Sequence, residues 1–113
     1  MSKRRVERQL AGAAILFAAL GDQTRLALLQ RLSHEGPASI SVLAETFDVT
    51  RQAVTKHLNV LSDAGILEGR REGREHVWAL NPARLADARR YLEIIGRGWD
   101  DALSRLKAQI EGR

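Results

Sequence analysis

Gln52, Thr55, Lys56 and Asn59 fall on one side of any helix drawn through residues 51 to 64, with Val54, Leu58 and Leu61 on the other. Each of the four can donate a hydrogen bond. The amides of Gln52 and Asn59 can pair through two bonds with an adenine edge. A threonine can bond a base or touch a thymine methyl, and a lysine can reach guanine or phosphate. No carboxylate interrupts this face before Asp63, and an acid there would repel phosphate. Further on, Arg70, Arg71 and Arg74 cluster about Gly73, where long cations can lie along a phosphate backbone or enter a minor groove. Glu68, Glu72 and Glu75 share that stretch, so a hairpin tip charged for solubility is the plainer alternative for it. A solvated helix face is the plainer alternative for the first group.

Periodicity predicts the elements that must position these side chains. Residues 6 to 20 form a helix apolar around nearly its whole circumference. Such a helix must be covered all round, which a chain this short cannot do alone, so part of it is expected in a subunit interface. Asp22 caps a second helix that carries Leu26, Leu28, Leu29 and Leu32 inward and stops at Gly36 and Pro37. Ser39 caps a short third helix with Ile40, Leu43, Ala44 and Phe47 at spacings of three and four. Asp48, Val49 and Thr50 make a three-residue turn, and Thr50 caps the helix over 51 to 64, which ends at Gly65. Residues 66 to 80 read as a hairpin with a glycine turn, in which Trp78, alternating with Leu80, packs the hairpin onto the core.

Pro82 suits the start of a last long helix over 84 to 110. Its Leu85, Ala88, Leu92, Ile95, Trp99, Ala102 and Leu106 recur in steps of three and four, the seam of helices that pack lengthwise, and Tyr91 is assigned to that seam too. Gly96 and Gly98 each cost about 1 kcal/mol inside a helix and mark either a close approach or a kink.

Composition narrows the classes. A chain of 113 residues holds one domain. With 44% hydrophobic and 28% charged residues it folds. Five aromatics among many Leu, Ala, Ile and Val residues favour helices over a β-sandwich. The formal charge is +4, and 15 of the 18 cations are arginine, whose planar fork suits phosphates and base edges. The absence of cysteine excludes disulfides, thiolate metal sites and thiol redox chemistry. Lys3, Arg4, Arg5 and Arg8 before the apolar run Leu10 to Leu20 mimic a secretory leader. Glu7 and Gln9 break the basic region, however, and the run is short, so a cytoplasmic protein without membrane contact is expected. No nucleophile stands near a base with an orienting acid, and Gly69 to Arg74 lacks the spacing and lysine of a phosphate loop, so no enzyme is expected.

Two helices joined by a short turn and followed by a basic hairpin give the order of a winged helix-turn-helix. The expected fold class is mainly α with a small β-hairpin, a single domain over 1 to 113. Its helix-turn-helix spans about 39 to 65, its wing about 66 to 80, and its long terminal helices 6 to 20 and 84 to 110. Winged helices also serve as protein-docking units, but the neutral-to-basic face does not favour that use.

Phe17 through Leu20, Gly21, Asp22, Thr24, Arg25 and Leu26, and the segment from Thr50 to Leu58 with Leu61, Ala64, Gly65 and Ile66, resemble the opening and the recognition helix of the ArsR/SmtB family of winged-helix regulators. The resemblance implies a homodimeric repressor of an inverted-repeat operator in double-stranded DNA. It places Thr50, Arg51, Gln52, Thr55, Lys56, His57 and Asn59 towards DNA, with Arg70, Arg71 and Arg74 in the wing. His57 has a second reading, packed under the recognition helix. The terminal helices would form the dimer interface through Leu10, Ala13, Leu85, Leu92, Ile95, Trp99, Leu103 and Leu106. Many members of that family sense metals through cysteine pairs or through ligands on the last helix. This chain has no cysteine, no histidine on its last helix, and His34, His57 and His76 on separate elements. No metal or other cofactor is therefore expected. An inducer, small molecule or protein, is left open.

Overall fold

The computed structural model describes residues 2–112. Five α-helices and three short strands follow in the order α1 (Lys3–Leu20), α2 (Gln23–Glu35), β1 (Ala38–Ser39), α3 (Ile40–Phe47), α4 (Arg51–Asp63), β2 (Leu67–Glu72), β3 (Glu75–Leu80) and α5 (Pro82–Glu111). Every helix starts at a side chain that accepts a backbone N–H of its first turn. Ser2, Asp22, Ser39, Thr50 and Asn81 receive the N–H groups of Arg5, Arg25, Val42, Ala53 and Ala83. The expected caps Asp22, Ser39 and Thr50 are among them, while α1 starts at Lys3 and α5 at Pro82, slightly earlier than periodicity placed them.

The sheet is antiparallel with order β1-β3-β2. Its first strand, two residues pairing Ala38 with Trp78 and Ser39 with Val77, is too short to leave a sequence pattern. The β2–β3 turn is Gly73 and Arg74. Glycine takes φ 64° at the first central position and Arg74 keeps a negative φ, the type II′ arrangement whose twist matches a hairpin. Leu16, Leu28, Leu43, Val54, Leu58, Leu61 and Ile66 are fully buried in one core, to which Trp78 joins the hairpin as expected.

Three apolar residues sit differently from expectation. Leu26 is 51% exposed, because it lies roughly 120° round α2 from the side that Leu28, Leu29 and Leu32 turn inward. Ala13 is buried within its own chain, on the wall of a groove it shares with Leu10 and Ile95, and half-buried Leu85 packs on the core. The seam of α5 divides near Tyr91. Leu85, Ala88 and Tyr91 pack on this chain's core, and Tyr91 meets Phe17 edge-to-face at 6.3 Å. Beyond it, Leu92, Ile95, Trp99, Leu103 and Leu106 are all exposed. The helix runs unbroken through Gly96 and Gly98, and no other part of the described chain comes within 4 Å of a Cβ placed at either. The radius of gyration is 18.5 Å, against about 13 Å for a compact chain of this length. The excess is the projecting end of α5. Among the described residues, no single helix is long and apolar enough to cross a membrane.

Candidate nucleic-acid interface

The turn that aims α4 is set by Asp48, which takes the left-handed conformation at φ 50°, ψ 49° while its N–H donates to the Ala44 and Glu45 carbonyls. Thr50 then stops the turn and caps α4, accepting from the Ala53 N–H at 3.1 Å. The first turn of α4 carries no acidic residue, so the positive end of its backbone dipole is uncompensated and faces outward. Val54, Leu58 and Leu61 are fully buried, while Arg51, Gln52, Lys56 and Asn59 are exposed.

Thr55 is a correction to the idea that all four polar residues of this face donate outward. Its hydroxyl donates to the Arg51 carbonyl at 2.6 Å, so it presents its methyl group and lone pairs. His57 lies off the exposed face. Its Nδ1 lies 3.3 Å from the Arg25 guanidinium and 3.7 Å from the Asp22 carboxylate. Packing under the helix is the geometry found.

Two arginines hold α4 in place: Arg25, part of the family-like opening but given no role by the sequence, and Arg84, which sequence reasoning did not single out. Arg25 donates from Nε to the Ala19 carbonyl (2.6 Å) and from Nη2 to that of Ala18 (3.4 Å), closing the end of α1 while touching His57 of α4. The Asp22 carboxyl beside it is held below its usual range, first by the Arg25 backbone N–H and then, against partial burial, by the charges of Arg25 and His57. Arg84 donates to the Ala64 carbonyl at the end of α4 (2.9 Å), to the Gly12 carbonyl of α1 (3.2 Å) and to Asp87 (3.3 Å). One side chain thus ties three helices together. No local pattern distinguishes Arg84 from a surface cation.

In the wing, strand alternation divides the arginines. Arg70 pairs in register with Val77, on one face of the hairpin, and its guanidinium bonds Glu72 at 2.8 Å. Arg71 lies opposite His76, on the face that carries Leu67 and Trp78 into the core. His76 stacks flat on Trp78 at 4.5 Å. Gly69 leaves room for that stack, since a Cβ there would collide with the His76 ring and come within 3.2 Å of Trp78. Arg51 donates to Ser41 of α3 at 2.9 Å, bringing α3 to the edge of the same surface. Among the described residues, no three His, Asp or Glu side chains are placed to hold a metal ion.

The helix-turn-helix domain family matches residues 20–70, from the end of α1 into β2. The chain is 41% identical over 88 residues, 78% of each chain, to the HTH-type transcriptional regulator Rv2034 of Mycobacterium tuberculosis. It is 30% identical over 87 residues, 76% of this chain and 96% of the relative, to the transcriptional repressor SdpR of Bacillus subtilis. Among solved structures, an ArsR-like transcriptional regulator from Rhodococcus sp. RHA1 superposes with a TM-score of 0.75 at 40% identity, covering 89% of this chain and 93% of that one.

Proposed function

Since the chain belongs to the ArsR family of winged helix-turn-helix transcriptional regulators, we propose that it is a homodimeric repressor reading an inverted-repeat operator in double-stranded DNA. The observation that carries this is the exposed, acid-free N-terminal half of α4, whose Arg51 shares a groove with Arg71 and Arg74 of the wing. Gln52 and Asn59 discriminate bases, Lys56 reaches guanine or phosphate, and Thr55 offers a methyl and lone pairs. Thr50 and Arg51 hold phosphate at the helix start, with Arg71 and Arg74 on the wing. Arg70, bonded to Glu72, contributes less, and His57 acts through the placement of α4.

Dimerisation rests on the apolar faces left open on α1 and α5, namely Leu10, Leu92, Ile95, Trp99, Leu103 and Leu106, with Val6, Ile94 and Ile110 beside them. Two copies joined there present two reading helices related by a two-fold axis, which is what an inverted repeat requires. The protein works in the cytoplasm, without a metal. An inducer would act by favouring the dimer geometry that does not fit DNA.

Selection from a random duplex library with purified protein tests this reading. The expected product is an inverted repeat with half-sites about one helical turn apart and an affinity that falls steeply with salt. No enrichment of any sequence would overturn it.

A further inference from the structure

The wing and the reading helix converge on a notch of about 260 Å3 whose floor is the start of α3. Resting on the DNA-binding reading above, we infer that this notch seats one phosphodiester group of the operator backbone, held jointly by Ser41, Arg51, Arg71 and Arg74. Three guanidiniums from two separate elements line it, against one carboxylate, Glu75. Glu72, opposite Glu75 across the hairpin, is bonded to Arg70. Among the described residues no carboxylate forms an ion pair with Arg51, Arg71 or Arg74. Like charges gathered in one concavity repel, and an anion between them turns that repulsion into bidentate attraction.

The α3–α4 side and the histidine of the wing are held in place before any ligand arrives. Ser41 Oγ accepts from Arg51, which leaves its own hydroxyl proton to donate into the notch. His76 is held flat on Trp78 in the space that Gly69 leaves open, closing the wing side. A phosphate seated there would lock the angle between wing and α4, so the two reading elements would engage DNA as one unit.

The seat is tested on the selected duplex by replacing each backbone phosphate in turn with an uncharged methylphosphonate. Wild type, R71A and R70A are compared, with their folding checked by circular dichroism. One position per half-site should weaken wild type and R70A by about tenfold but R71A by less than about twofold, because the partner is already gone. R71A should also lower the slope of log affinity against log salt by about one, and S41A should weaken binding at that same position only. If the duplex binds but no phosphate couples to Arg71, or R70A matches R71A, the seat is refuted and DNA binding stands. If no duplex binds, both fail. The source of the phosphate is checked by titrating inorganic phosphate into the free protein and following arginine side-chain resonances. No saturable shift is expected below about 10 mM, since one phosphate lacks the rest of the backbone. Saturation at lower concentration would reassign the notch to a free anion.

Discussion

Gln52 and Arg71 lie on the same surface and act by different physics. An amide discriminates between bases because only one edge pattern satisfies both its donor and its acceptor, whereas a guanidinium on phosphate meets the same oxygens in every sequence. Q52A should therefore flatten base preference at one operator position by about 1–3 kcal/mol, measured by competition among variant duplexes. Equal loss on every sequence would take Gln52 off the bases. Asp22 offers a test in pH. Its carboxyl is lowered from 3.8 in the folded chain, so its stabilising effect is present above that value and lost as pH falls through the folded pKa. Wild type should melt above D22N at neutral pH, and the gap in melting temperature should close under acid. A gap that persisted at low pH would assign the effect to shape alone.

At the scale of elements, α4 is held at both ends by residues outside it. Asp48 and Thr50 set its start, and Arg84 of α5 bonds the Ala64 carbonyl at its end while reaching Gly12 of α1. Arg84→Ala removes the two side-chain hydrogen bonds to the Ala64 and Gly12 carbonyls and should cost about 2 kcal/mol in urea unfolding. R84K, with one charge and no fork, should recover only part of it. If R84A is neutral, the reading helix takes its position from core packing alone.

The whole molecule is extended for its length because α5 carries its apolar seam past the last residue that this chain covers. Leu103 is 57% exposed and Trp99 67%, in a helix with nothing of its own chain beside Gly96 and Gly98. A charge there costs a monomer little and an interface much. Leu103→Glu should leave the circular dichroism of the chain unchanged, convert dimer to monomer in sedimentation, and weaken operator binding by at least about tenfold through loss of the second half-site. A dimer that survives L103E would place the interface elsewhere.

Sequence by itself determined where most elements lie and which face of α4 is polar. Caps such as Asp22, Ser39 and Thr50, and the alternation of Val54, Leu58 and Leu61 with Gln52, Lys56 and Asn59, depend on residues within about four positions of one another. Tertiary structure alone decided the rest. It turned Leu26 to solvent, packed Leu85 against the chain's own core, and left Leu92 onward bare. It also set Arg70 on Glu72 and Arg71 in the notch, and sent Arg84 to a carbonyl 72 residues away. An arginine's long flexible stem reaches whatever acceptor packing brings near, so its type is legible in the sequence and its partner only in the fold.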